Sequence, residues 1–307
     1  MRADAARLVR RLHVDFCTPR RARVIAINAS GASTVQRFSL TESGLPCADA
    51  VNALSTDGVL CIPQAVPTQW RELVERGIEQ ALHGASTDLD IVKRDQDQGK
   101  FTVSSGAWQN IDAFREYIFD SPVADIARAL LQTQRLTLFY DFLLIKEARS
   151  NTAATPWHQD HSYYPLDGRQ VINCWVALDD IPSDSAVRFL RGSHQAGTLF
   201  RAIDFDDPSR DYRHARKGLP LPPSDLDNDG EVLTTSMAAG DMLVWTSYTL
   251  HGAPGNSLDR RRAAFSTNWL GDDVRFNGEA ALDTYLDATQ VVGEPIMCEK
   301  FPLVRGQ

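Results

Sequence analysis

Three residues in this chain have the types and spacing of a metal centre. His158 and Asp160 stand two apart in Trp157-His158-Gln159-Asp160. On an extended strand, residues two apart share a face, so an imidazole and a carboxylate project side by side. Gln159 and His161 then point the other way. Two ligands do not hold a metal. A third is offered by His251, at the end of the apolar run over 241–250. Two histidines and one carboxylate leave coordination positions open, which is the facial ligand set of non-haem Fe(II) oxygenases. Zinc accepts the same donors. A cupin-like metal hydrolase or isomerase is therefore the competing reading, and a non-catalytic metal- or ligand-binding protein is a third.

Arg262 separates these readings. It lies eleven residues beyond His251, in a run that reads as a strand. A dicarboxylic 2-oxo acid can chelate iron with one end. Its far carboxylate then needs a fixed planar cation, which arginine supplies bidentately. A hydrolase has no evident use for Arg262. Arg260 shares the strand face by alternation and is the fallback partner.

These side chains need strands to carry them. Residues 136–147 are rich in aromatic and β-branched types and read as a long strand. Shorter strands are expected over 59–62, 101–108, 171–178, 187–190, 231–236, 241–250 and 262–270. Helices are expected over 48–54, over 68–82 with Thr68 as cap, over 111–119, and over 122–132 with Pro122 in the first turn. A last helix is expected over 279–291. Residues 83–100 read as a polar surface loop, and 200–230 as a long insertion, either a lid or a solvated excursion. Helices first and many short strands after imply a mainly β sandwich or barrel with flanking helices. Residues 48–307 read as a single domain. Residues 1–47 read as an N-terminal extension, with a short basic helix over 5–12 and a hairpin around Gly31. His194, after the Gly192-Ser193 turn, reads as structural. His161 is expected at the surface or behind the ligands, and Tyr163 or Tyr164 against substrate. His13, His83 and His214 are expected in solvent.

The ordered set resembles the phytanoyl-CoA dioxygenase family of Fe(II)/2-oxoglutarate-dependent oxygenases, from about Ser55 to Trp269. The most specific parts are Trp157 to Asp160, Trp175 to Asp179, Gly192-Ser193-His194, and His251-Gly252 with Asn256 and Arg262. The resemblance implies a double-stranded β-helix, a cupin-like jelly roll. It implies iron on His158, Asp160 and His251, and 2-oxoglutarate on Arg262. Trp175 corresponds to a family tryptophan beside the co-substrate, and Phe142 lies on a strand that walls the same pocket. The implied reactants are Fe(2+), 2-oxoglutarate and O2, with ascorbate in support, and the implied products are a hydroxylated small molecule, succinate and CO2. Related halogenases lack the carboxylate at the Asp160 position, so halogenation is not expected. Two departures, Asp184-Ser185 and Arg191, fall in the turn after the first metal strand and bear on loop shape and substrate fit.

Composition sets wider bounds. The chain has 307 residues, 43% of them hydrophobic and 23% charged, ordinary for a globular protein. No run of about 18 apolar residues is present, so no membrane span is expected. The net charge of −8 argues against nucleic acid as partner. Residues 1–23 are the exception, with seven arginines against two aspartates. The five cysteines are scattered with no CxxC pair, which suits a reducing cytoplasm rather than a disulfide framework. A small-molecule substrate is the expected partner, and no residue pattern sets the oligomeric state.

Overall fold

Seven consecutive residues, Val171–Ala177, are buried. A strand covered on both faces must lie between layers. Ile172, Cys174 and Val176 point into a core shared with helices, while Trp175 and Ala177 point into a second core between sheets. Neighbouring strands repeat this division. Met242 and Val244, Ala263 and Phe265, and Leu143 and Ile145 join the helix-facing core. Leu243, Trp245 and Ala264 join the inter-sheet core, with Phe189 and Leu233 from the opposite sheet.

The computed structural model describes residues 33–85, 89–92, 101–150, 154–205, 212, 216–226 and 231–306. In chain order the strands are β1 (Ser33–Thr34), β2 (Val59–Ile62), β3 (Leu89–Val92), β4 (Phe101–Ser105) and β5 (Leu136–Lys146). Then come β6 (Thr155–His158), β7 (Leu166–Asp167), β8 (Val171–Ala177), β9 (Arg188–Leu190) and β10 (Val232–Thr234). The last are β11 (Met242–Thr246), β12 (His251–Ala253), β13 (Arg262–Leu270), β14 (Arg275–Phe276) and β15 (Leu303–Arg305). Among the described residues one sheet runs β1-β10-β9-β12-β6. The larger runs β2-β11-β8-β13-β5-β4-β3, with β15 paired on β5. The central pairings of the larger sheet are antiparallel. This is a jelly roll with helices outside, the mainly β architecture expected.

The helices α1 (Ala48–Asp57), α2 (Thr68–Gln80), α3 (Asp112–Asp120) and α4 (Val123–Leu131) pack on the outer face of the larger sheet. Helix α1 stops at Gly58, whose φ of 82° is left-handed, and the chain turns directly into β2. At the α2–α3 crossing a Cβ on Gly77 would stand 2.4 Å from the Phe114 ring, so only glycine lets the helices approach this closely. Phe114 in turn stacks on Phe265 of β13 at 4.5 Å. Among the described residues no helix is long and apolar enough to cross a membrane.

Several expectations need correction. The cap of α2 is Pro67 and not Thr68. The polar stretch 83–100 contains β3, which pairs antiparallel with β4 and extends the sheet. Instead of a helix over 279–291 there is a single 3-10 turn at Asp283–Tyr285. Ala281 N–H donates to Tyr163 O across the fold, and only short turns such as Tyr285 N–H to Leu282 O follow, so no helical ladder forms. The strand expected over 241–250 stops at Thr246 and the chain changes sheets before His251. β15 had no signal in the sequence. The expected helix over 5–12, the first half of the hairpin, His13 and His214 lie outside the described residues. Residues 33–38 tie into both sheets, through β1 on β10 and a bridge from Arg37 to Cys61.

Candidate active site

His158 is the last residue of β6 and His251 the first of β12, and the two are register partners. Their rings lie 4.2 Å apart. Asp160 is carried differently from the sequence expectation. The strand ends at His158, Gln159 keeps an extended backbone, and Asp160 opens a 3-10 turn, Asp160–Tyr163. One extended residue suffices to put Asp160 beside His158. Asp160 Oδ1 lies 3.5 Å from His158 Nε2 and 3.6 Å from His251 Nε2. One ligand atom from each residue falls within 4.8 Å of the others.

The surrounding hydrogen bonds prepare these atoms for a cation. His158 Nδ1 stands 2.9 Å from Pro156 O, and His251 Nδ1 2.9 Å from Thr249 O. A carbonyl oxygen only accepts, so each Nδ1 carries the proton and each Nε2 presents its lone pair. The indole Nε1–H of Trp245 donates to Asp160 Oδ2 over 3.0 Å, leaving Oδ1 toward the histidines. Burial pushes the His251 imidazole down to about 4, against the pull of Asp160, so it is neutral at pH 7. Burial alone would raise the Asp160 carboxyl, but His251, His158 and Trp245 outweigh it and hold it below the ordinary range. Two imidazoles with their Nε2 atoms turned to one ionised carboxylate, all buried, are a donor set that fits Fe(II).

A cavity of about 730 Å³ opens over these three residues, and Arg262, Trp175 and Phe142 line it too. The six residues singled out from sequence are therefore brought together. Arg262 opens β13, is 6% exposed, and donates to the carbonyl of Ser185. Burial lowers its guanidinium to about 10, which still leaves it charged at pH 7. Asn256 holds the turn before it, with Nδ2 near the carbonyls of Lys146, Glu147 and Arg260 at 3.1, 2.9 and 2.8 Å. The fallback Arg260 is exposed and donates to Asp180 O outside the cavity. Trp175 belongs both to the inter-sheet core and to the cavity wall. Phe142 follows the alternation of β5, with Tyr140, Leu144 and Lys146 on the same wall.

Of the two places expected for His161, the structure has the one behind the ligands, and the residue is fully buried. It stacks on Tyr248 at 3.9 Å, and its nitrogens reach Ser247 Oγ and Leu166 O, both at 3.0 Å. Burial lowers it to about 3, so it is a neutral strut behind the ligand turn. Gln159 does point away from the ligands and donates to Thr198 O and Tyr248 O at 3.1 and 2.8 Å. His194 is structural: its Nε2 lies 3.0 Å from Ser55 O of α1. His83 is exposed, as expected. Both Tyr163 and Tyr164 line the cavity, where only one was expected.

The sequence reading did not single out Trp245, Lys146, Tyr140, Tyr285, Asp204 or Phe205, all of them on the cavity wall. Tyr140 and Lys146 carry an alternation signal, two and four residues from Phe142 on the same strand face. Asp204 and Phe205 come from the insertion after β9, and only the fold brings them near His158.

A family model described as phytanoyl-CoA dioxygenase matches residues 54–264. The chain belongs to that family. That family uses Fe(II), 2-oxoglutarate and O2, and the chain has an iron- and 2-oxoglutarate-dependent oxygenase-type function. Solved structures share the fold. One is the non-haem α-ketoglutarate-dependent carbocyclase SnoK from nogalamycin biosynthesis, at 22% identity and a TM-score of 0.65, covering 84% of this chain and 96% of that one. Another is the epimerase SnoN in complex with Fe3+, α-ketoglutarate and nogalamycin RO, at 21% identity and a TM-score of 0.62, covering 84% and 98%. A third is EvdO2 from Micromonospora carbonacea var. aurantiaca complexed with 2-oxoglutarate, at 20% identity and a TM-score of 0.56, covering 78% and 97%. No curated protein matches the chain.

Proposed function

We propose that this enzyme hydroxylates a small metabolite or natural-product intermediate, with 2-oxoglutarate converted to succinate and CO2. The observation that carries the reading is the joint presence of the His158, Asp160 and His251 ligand atoms and the buried Arg262 on one cavity. His158, Asp160 and His251 hold the iron, which when bound supplies dioxygen activation. Arg262 receives the far carboxylate of the co-substrate through its planar fork. Trp175 and Phe142 wall that carboxylate off from water, which strengthens the pair. Trp245 fixes which Asp160 oxygen faces the metal.

In the same reading residues 48–307 form the catalytic domain, and the sheet contacts of residues 33–38 attach the N-terminal extension to it. The test is succinate release in the presence of Fe(II), 2-oxoglutarate and ascorbate, screened across metabolite pools. Substrate-dependent succinate formation supports the reading. Conversion of a substrate without 2-oxoglutarate consumption contradicts it.

A further inference from the structure

The inward face of the larger sheet is laid out in rows, because register sets one residue of each strand beside the next. Arg262 of β13 pairs with Lys146 of β5. Two rows further along β13, Ser266 stands between Phe142 and Trp175. The next row is Tyr140, Asn268, Asn173 and Trp245, one each from β5, β13, β8 and β11. Trp245 is the residue that holds Asp160. This row therefore starts beside the metal turn and crosses the sheet at about 4.8 Å per strand. Along β13 it lies roughly 20 Å from Arg262, at about 3.3 Å per residue.

The row is polar, uncharged and incompletely paired. Asn173 lines the cavity and is 7% exposed. Ser266 Oγ donates to its Oδ1, which leaves Nδ2 for the cavity, with no partner among the described residues. Asn268, its register partner, is 1% exposed, and its Nδ2 has no hydrogen-bond partner either. Asn268 Oδ1 accepts from Tyr164 Oη at 3.4 Å, and Tyr164 Oη in turn meets Tyr140 Oη. The phenols thus satisfy one another, and the carboxamide N–H groups are left over. Beside them the rings of Tyr140, Tyr164 and Tyr285 pack at 5.8, 5.3 and 5.1 Å, and all three line the cavity.

Building on the oxygenase reading above, we propose that the substrate is a flat aromatic molecule bearing a neutral carbonyl, of ketone or quinone type, whose oxygen accepts from Asn173 Nδ2. Its ring system packs on the tyrosine wall, where aromatic faces and edges match. A buried donor left unmade costs more than a typical hydrogen bond yields, so a carbonyl that reaches it gains on both counts. A carbonyl oxygen only accepts, which suits the unpartnered N–H. A carboxylate could accept too, but leaving water it needs a cation, and this row holds none. The row's place beside Trp245 sets the carbonyl close to the metal turn and away from the co-substrate's Arg262. The cavity of about 730 Å³ suits a drug-sized molecule beside the co-substrate.

Three probes share one ring system: 9-fluorenone carries the carbonyl, fluorene lacks it, and fluorene-9-carboxylate puts an anion on the same carbon. Each is titrated without oxygen into protein loaded with Fe(II) and 2-oxoglutarate. Tryptophan fluorescence reads the binding, because Trp175 and Trp245 line the cavity. Fluorenone should bind about tenfold tighter than fluorene, the scale of one well-made hydrogen bond to a buried donor, and tighter than the carboxylate. Its bound carbonyl stretch should fall below the frequency in hydrocarbon solvent, as an accepted hydrogen bond requires. Asn173→Leu should remove both the preference and the shift and leave 2-oxoglutarate affinity unchanged. Asn173→Asp keeps the acceptor for Ser266 and replaces the donor, so it carries the test if the leucine variant does not fold. Equal binding of fluorenone and fluorene, tighter binding of the carboxylate, or an unshifted carbonyl overturns the proposal. So does a loss in Asn173→Leu that falls on 2-oxoglutarate, which assigns the amide to the co-substrate. Binding of no probe by protein that takes up iron and 2-oxoglutarate overturns it as well, and in all these cases the oxygenase reading stands. Failure to take up iron and 2-oxoglutarate overturns the oxygenase reading and this proposal with it.

Discussion

Trp245 Nε1 stands 3.0 Å from Asp160 Oδ2, and this hydrogen bond makes the two carboxylate oxygens unequal. Oδ2 is occupied by the indole, and Oδ1 is left facing His158 and His251. A carboxylate held this way would offer a metal one oxygen, Oδ1, on the side of the two histidines. Trp245→Phe keeps the ring packing against Phe189 and His251, at 5.3 and 5.1 Å, and removes only the donor. Iron affinity should fall about tenfold to a hundredfold, the usual scale for a lost partner of a metal ligand. Titration of the apoprotein with Fe(II) measures this, with circular dichroism to confirm the fold. Unchanged iron affinity would show that the indole does not govern Asp160.

Arg262 should control affinity for 2-oxoglutarate and leave iron affinity alone. Arg262→Lys keeps the charge but loses the fork, so the apparent Michaelis constant for 2-oxoglutarate should rise. Arg262→Ala should raise it more, by roughly 2–4 kcal/mol equivalent, the scale for truncating a buried charged partner. Arg260→Ala is the control, because Arg260 is exposed and bound to Asp180 O. A larger co-substrate penalty at Arg260 than at Arg262 would reverse the assignment.

Much of this site could be read from the chain because alternation survives at the decisive places. β13 begins and ends where its apolar pattern does, at Arg262 and Leu270, so Arg262 was placed correctly. The β5 alternation that assigns Phe142 inward also carries Tyr140 and Lys146. The failures have physical causes. The apolar run before His251 is unbroken, yet it holds a strand end, a turn and a change of sheet, and hydrophobicity does not distinguish buried turn from buried strand. Asp160 reached its place through a 3-10 turn, which gives the same result as a strand over one residue. His161 reads as surface or as behind the ligands, and hydrogen bonds from Ser247 and to Leu166 O permit its burial in the second place. The strap bearing Asp204 and Phe205 has no periodicity, because side-chain hydrogen bonds from Gln159 and Tyr163 hold it in place of a sheet ladder.

Asp141 should make stability depend on pH. It lies on the face of β5 opposite the cavity wall, is fully buried, and accepts from Trp108 N–H at 3.2 Å. Burial outweighs its backbone hydrogen bonds and raises its carboxyl from 3.8 to about 7. The folded state therefore holds a proton that the unfolded chain loses near 3.8. The stability it contributes is complete below that value, falls as pH rises, and is gone above about 7. The slope is at most a factor of about ten in the folding constant per pH unit. His161 and His251, lowered by burial to about 3 and about 4, act in the opposite sense below their unfolded value of 6.5. The readable quantity is thus wild type minus Asp141→Asn, from urea unfolding at several pH values. That difference should shift against the wild type between about 4 and 7 and then level off. A difference independent of pH would mean that Asp141 is ionised in the folded protein.

The central claim is that one cavity holds iron on His158, Asp160 and His251 and 2-oxoglutarate on Arg262. The most direct measurement is 2-oxoglutarate-dependent succinate release by iron-loaded wild type beside His158→Ala and His251→Ala at limiting iron. The account predicts succinate from the wild type and none from either variant, with all three folded by circular dichroism. Full turnover in either variant, or no 2-oxoglutarate binding by iron-loaded wild type, would contradict it.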